Sequence, residues 1–245
     1  MENKVNILGV NIDKLTIDEA CEKIYSFLDE DKLHYVFTPN SEMIMAAYRD
    51  ENLKKILNSA DILSADGIGV VYASKILKNP IMERAAGFDI AKSLLKKLND
   101  NKKSLYLFGS KPGISQRAAK NITKDYPDII ISGCQDGYFD EEKEKEIIND
   151  INEKKPDVVF VCLGVPKQEK WIYKNKDNLN AKVLMGLGGS LDVFAGEVKR
   201  APQVYQKLNI EWLYRLCKEP KRIGRMMDLP KFAFTVVTKG KREEK

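Results

Sequence analysis

The chain has 245 residues, 43% hydrophobic, 31% charged and 9% aromatic, which excludes disordered, collagen-like and low-complexity classes. No apolar run approaches the roughly 18 residues needed to span a bilayer, and Met1-Glu2-Asn3-Lys4 leads into a short strand-like run without a signal-peptide core, so a cytoplasmic protein is expected. The net charge of +5 is uneven: residues 196–245 carry 13 Lys and Arg against 6 Asp and Glu, a surplus of +7, which leaves −2 for residues 1–195. Five of the eight arginines (Arg200, Arg215, Arg222, Arg225 and Arg242) fall in that last fifth. Guanidinium groups suit bidentate contact with phosphate oxygens, although a merely solvated basic tail has the same composition.

In chain order, residues 5–10 read as a strand. Thr16-Ile17-Asp18-Glu19 has capping-box spacing and opens a helix carrying Ile24, Phe27 and Leu28. A strand at 34–37 stops at Thr38-Pro39-Asn40, helices follow near 41–49 and 53–58, and a short strand at 62–64 runs into Asp66-Gly67-Ile68-Gly69. From 104 onward apolar runs at 104–108, 129–131, 157–163 and 183–185 alternate with helical patterns near 116–124, 141–154 and 168–176. Near-continuous apolar strands separated by helices predict a doubly wound α/β domain over residues 1–195, with a mostly parallel sheet covered by helices on both faces. Residues 196–245 form a basic helical appendage. There, 204–218 predicts one helix burying Leu208, Trp212, Leu213 and Leu216, ended by Pro220. A short helix with Arg222 and Arg225 follows, and then the apolar stretch 232–237, which suits either a membrane surface or packing on the main domain.

Cys21, Cys134, Cys162 and Cys217 are scattered, with no CxxC pair, and His34 is the one histidine; this argues against a structural zinc site. Cys162 lies in an apolar run and reads as core, and acid–base chemistry falls to carboxylates. Asp29-Glu30-Asp31 fits D-x-D but sits in a polar stretch before a strand, where a solvated helix end explains it, so no metal and no cofactor is expected. Ligands of open α/β sheets bind beyond the carboxyl ends of the strands. That rule selects the loops at 38–40, 64–67, 109–113, 164–169 and 186–190. Their glycines, including Gly109, Gly164 and Gly188, admit a diphosphate to backbone N–H groups and helix N-termini, yet none forms a Walker A loop or a full GxGxxG. Asp66, just past a strand and beside Gly67, can take a proton from a hydroxyl; the same spacing suits a helix N-cap.

Together Thr38-Pro39-Asn40, Ala65-Asp66-Gly67, Arg84 in Glu83-Arg84-Ala85-Ala86-Gly87, the loop 109–113, Gly164-x-Pro166-x-Gln168-Glu169 and Gly188-Gly189-Ser190-Leu191-Asp192 resemble the WecG/TagA/CpsF family of glycosyltransferases over residues 5–230, closest to its TagA branch of wall teichoic acid synthesis. The resemblance implies inverting, metal-independent transfer of N-acetylmannosamine from a UDP-linked donor to undecaprenyl-diphosphate-N-acetylglucosamine, in β-1,4 linkage, at the inner membrane face. Asp66 would then be the base, and Thr38, Asn40 and Gln168 would orient the substrates. Arg84 and the glycine-loop amides would stabilise departing UDP, Asp192 would hold the nucleoside, and Arg215, Arg222 and Arg225 would engage the lipid diphosphate at an anionic membrane surface. Competing readings are a related UDP-hexosamine or uronate transferase, a nicotinamide-dependent oxidoreductase and a nucleotide-binding membrane adaptor. A nucleic-acid partner is not expected, since the nearly neutral body offers no extended basic face. Apolar helix surface leaves self-association open.

Overall fold

The computed structural model describes residues 3–207, 211–218 and 228–240. The expected first strand is instead an antiparallel hairpin, β1 (Lys4–Ile7) and β2 (Val10–Asp13). Leu8 and Gly9 both take positive φ, 53° and 84°, as a tight hairpin turn demands, and Gly9 N–H donates to the Asn6 side chain. Six further strands, β3 (His34–Phe37), β4 (Ile62–Leu63), β5 (Ser104–Gly109), β6 (Ile130–Gln135), β7 (Val158–Cys162) and β8 (Val183–Gly186), form an all-parallel sheet in the order β4-β3-β8-β7-β5-β6.

Strand alternation splits the core into two layers. Val36, Leu105, Leu107, Val158, Phe160, Val183 and Met185 face one side and pack with α1 (Ile17–Ser26), α5 (Gly87–Asp100) and α6 (Ile114–Asp125). Tyr35, Phe37, Tyr106, Phe108, Val159, Val161 and Leu184 face the other. There they meet α2 (Ser41–Arg49), α3 (Glu51–Asn58), α4 (Ile68–Ile76), α7 (Glu141–Lys154) and α8 (Lys167–Asn175). Helices on both faces of a parallel sheet are the doubly wound architecture the apolar runs predict. The Thr16 capping box is present: its hydroxyl accepts from Glu19 N–H, and the Glu19 carboxylate accepts from Thr16 N–H.

Two expectations need correction. The strand read at 129–131 runs from Ile130 to Gln135 at the sheet edge; half-exposed polar residues continue it, and Gly133 makes room for the Tyr106 ring, which a Cβ would meet at 2.4 Å. In the predicted 204–218 helix, α10 (Gln203–Lys207) and α11 (Glu211–Lys218) are helical while Leu208 lies outside the described residues. Trp212 and Leu213 are exposed and Leu216 is half-buried; the buried position belongs to Glu211, whose carboxylate accepts from Arg84 of the body and from Arg200. The stretch 232–237 lies in α12 (Asp228–Lys239), which tolerates Pro230 because the first helical turn needs no internal N–H donor. Its Phe232 and Val236 pack beside α2 and α4, and Arg49 of α2 clasps Asp228 at 2.8 Å, while Phe234 and Val237 face outward. Arg222 and Arg225 lie outside the described residues.

From β5 the chain moves outward to β6, whereas from β7 it moves inward to β8, so a crevice opens between the carboxyl ends of β5 and β7. Gly109 at that end has φ 131°, and a Cβ there would meet the Cys162 carbonyl oxygen at 2.3 Å. Gly109→Ala should therefore lower stability by about 2 kcal/mol or more, read as a reduced urea midpoint, since neither backbone can yield cheaply. An unchanged midpoint would contradict this close approach.

Candidate active site at the carboxyl edge of the sheet

A pocket of about 600 Å³ occupies the β5/β7 crevice, lined by residues of the turns after β5, β6, β7 and β8. Ser110, held at φ 63°, donates its N–H to the Cys162 carbonyl and accepts Gly137 N–H, which ties three turns together. Its hydroxyl donates to the Asp192 carboxylate at 2.8 Å. Asp192 belongs to the short helix α9 (Ser190–Phe194), and with Gly164 and Gly188 it lines the pocket. Gly164 and Gly188 have positive φ and open space where a Cβ would stand, so backbone is presented to the cavity. Lys111 and Lys167 supply positive charge; Lys167 Nζ lies 4.3 Å from the centroid of the Phe139 ring and donates to Gly137 O.

A second cluster lies on the same edge at β3 and β4. Asp66 N–H donates to the Pro39 carbonyl, and the Asn40 Cβ stands 3.6 Å from where a Gly67 side chain would begin, so the loops carrying Asn40 and Asp66 are in contact. Gly67, at φ 107°, occupies the N-cap position of α4, directly after Asp66. Asn40 is itself the N-cap of α2: its Oδ1 accepts Met43 N–H at 2.9 Å, leaving the Nδ2 end for other partners. Thr38 is buried, its hydroxyl 3.5 Å from the Gly186 carbonyl, and Gly87 is packed so tightly on it that a Cβ would meet Thr38 Oγ1 at 2.7 Å.

Gln168 joins the two clusters. It is 2% exposed, and its Oε1 accepts Gly188 N–H at 2.9 Å while its Nε2 donates to Glu169 Oε1 at 2.8 Å. Burial pushes the Glu169 carboxyl up to about 7, a cost that the Gln168 hydrogen bond only partly offsets.

Arg84 precedes α5. Its guanidinium donates to Glu211 of α11 at 2.5 Å and lies 3.8 Å from Asp89, while Arg200 grips Asp89 with two bonds of 2.5 and 2.7 Å and reaches Glu211 at 3.3 Å. Two cations and two anions thus close into a half-buried ring between body and appendage. Arg215 falls on α11.

The sequence reading missed Gly137, Tyr138 and Phe139 as pocket residues because it ended β6 four residues early; the Asp136-Gly137 pair after the polar strand end was the available signal. His34 and the D-x-D segment sit at the amino end of the sheet. His34 stacks on Phe27 at 3.8 Å and contacts Glu30, and Lys182 holds Asp31. Cys162 is buried, and burial pushes its thiol up to about 12. Among the described residues no three His, Cys, Asp or Glu side chains gather as a metal site would require, and no helix is long and apolar enough to cross a membrane.

Residues 5–245 match the model of the glycosyl transferase WecG/TagA/CpsF family. The chain is 39% identical over 239 residues to the N-acetylglucosaminyldiphosphoundecaprenol N-acetyl-beta-D-mannosaminyltransferase of Bacillus subtilis (strain 168), covering 98% of this chain and 92% of that protein. It is 38% identical over 244 residues to the protein of the same name from Staphylococcus aureus (strain MRSA252), covering 99% and 95%.

Two outcomes follow from this geometry. Between pH 4.5 and about 7 the folded chain keeps the Glu169 proton that the unfolded chain has released. That contribution is complete below 4.5 and is lost as pH rises through 7, on the order of 3 kcal/mol. Urea midpoints should show this decline in the unaltered protein and a flatter profile in Glu169→Gln. Glu211→Gln should loosen the appendage, so that trypsin cuts there sooner while the body's melting temperature stays within a few degrees; unchanged cleavage would show that the ion ring does not hold it.

Proposed function

The chain belongs to the WecG/TagA/CpsF family of glycosyltransferases, and on that premise we propose that it moves N-acetylmannosamine from UDP-N-acetylmannosamine to undecaprenyl-diphosphate-N-acetylglucosamine, the wall teichoic acid linkage step, with inversion to a β-1,4 bond. The observation that carries the reading is the adjacency of a nucleotide-sized pocket at the β5/β7 crevice and the Thr38, Asn40 and Asp66 loops at β3/β4, joined through the turn after β8. Residues 1–195 act as the catalytic domain and residues 196–245 as the membrane- and acceptor-facing appendage.

UDP occupies the crevice. Asp192, oriented by Ser110, accepts from the nucleoside, and the diphosphate meets the backbone of Gly164 and Gly188 with Lys111 and Lys167 nearby. The acceptor hydroxyl lies at Asp66, aligned by Asn40, Thr38 and Gln168. Its oxygen attacks the anomeric carbon as the bond to UDP breaks; the electron pair leaves with UDP, and Asp66 takes the hydroxyl proton. Arg84, poised by Glu211, and the turn amides stabilise the developing diphosphate charge in a metal-independent reaction.

The enzyme works at the inner face of the membrane. Phe234 and Val237 of α12 and Tyr72 of α4 are exposed on two helices packed together, with Lys231, Lys239 and Lys75 on the same helices, a pattern suited to an anionic lipid surface. Arg215, Arg222 and Arg225 take the lipid diphosphate.

Product formation from UDP-N-acetylmannosamine and a soluble-tailed acceptor analogue, with EDTA present, tests the reaction. Turnover by the unaltered chain and a loss of roughly 10²-fold or more in Asp66→Asn are expected. An unaffected variant would remove Asp66 as base, and no turnover with this pair would remove the substrate assignment. Alanine at Arg215, Arg222 and Arg225 together should reduce both pelleting with anionic vesicles and turnover of the lipid acceptor.

A further inference from the structure

We propose that Glu169 is a positioning residue that locks the side-chain amide of Gln168 in the orientation the transfer site uses. The proposal rests on the reading of Gln168 as a substrate-orienting residue. The two ends of a carboxamide are nearly the same shape, so only hydrogen-bond partners decide which way it points. Here Gly188 N–H must find an acceptor, and Glu169 Oε1 must find a donor. Flipping the amide would set N–H against N–H and oxygen against oxygen. With both partners in place, Oε1 of Gln168 is committed and one Nε2 hydrogen remains. Nε2 lies 3.1 Å from where a Gly186 side chain would begin, and the carbonyl of Gly186 faces the Thr38 hydroxyl, so the remaining donor sits at the corner where the two clusters meet.

Glu169 has no other evident use. It is fully buried, and its Oε2 has no hydrogen-bond partner among the described residues. An apolar side chain of similar volume would pack there without desolvating a carboxyl. The cations of its own helix are occupied elsewhere: Lys167 by Gly137 and Phe139, Lys170 by Asp50 before α3, and Lys174 by Glu144 of α7. The facing strand β8 contributes only Val183, Leu184, Met185 and Gly186. The helix N-terminus favours the anion, and once Glu169 is ionised its bond to Gln168 is charge-assisted and stiffer.

A double-mutant cycle with Gln168→Ala and Glu169→Met, read by product formation, tests the proposal. Glu169→Met should lower kcat about tenfold with donor KM within about threefold, Glu169→Gln should restore most of kcat because it keeps a carbonyl acceptor, and Glu169→Met added to Gln168→Ala should cost less than twofold more. In glutamine-labelled protein the Gln168 side-chain amide resonances should move in Glu169→Met and, in the unaltered chain, titrate near pH 7. A full tenfold loss in the Gln168→Ala background, or Gln168 resonances indifferent both to Glu169→Met and to pH, would overturn the proposal. Should Gln168→Ala alone turn over normally, the substrate-orienting reading of Gln168 falls instead, and the resonances by themselves decide whether Glu169 fixes the amide.

Discussion

The turn that follows β8 (Val183–Gly186) ties the β5/β7 crevice to the loop after β3. Its Gly186 carbonyl faces the Thr38 hydroxyl, its Leu187 N–H donates to Val161 O, and its Gly188 N–H donates to Gln168. Backbone groups have no rotamers to lose, so anchoring side chains on them costs little entropy and fixes positions sharply. β8 is paired on both sides, with β3 and β7, so its turn lies between the β5/β7 crevice and the loops carrying Thr38, Asn40 and Asp66.

Electrostatics tie the appendage to this edge. The basic tail contributes not only cations but also Glu211, which meets Arg84 and Arg200 in a ring completed by Asp89. The ring lies beside Thr38, because Gly87 of the same segment packs directly on that residue. The carboxylates fix the orientation of both guanidinium groups, and the two anions balance the two cations. Arg200 also lies 5.0 Å over the Phe88 ring, which in turn stacks on Phe194, so the ring rests on an aromatic floor.

Much of the architecture was legible because parallel strands buried on both faces must be apolar throughout. The runs at 104–108, 157–163 and 183–185 and the acid-rich helix Glu141–Lys154 stand close to where they were read. Legibility failed where that rule relaxes. The edge strand β6 is polar on its open side, the hairpin β1–β2 lies outside the sheet, and α11 (Glu211–Lys218) turns a glutamate inward against its own apolar pattern. The carboxyl-edge rule located Gly164, Gly188 and Asp192 at the crevice; the Tyr138 and Phe139 wall was lost with the end of β6.

Composition and local spacing alone determined the α/β class, the capping box at Thr16, the basic bias of residues 196–245 and the set of loops from which a site could be built. These are local properties: hydrophobic period, cap chemistry and charge count need no knowledge of what lies across the fold. Only the tertiary structure decided that Gln168 contacts Gly188, that Asn40 uses its oxygen to cap α2 (Ser41–Arg49), that Gly67 stands at the N-cap position of α4 (Ile68–Ile76), and that Arg84 meets Glu211. Those partners lie up to 127 residues apart, and strand order, which no local pattern encodes, brings them to one edge.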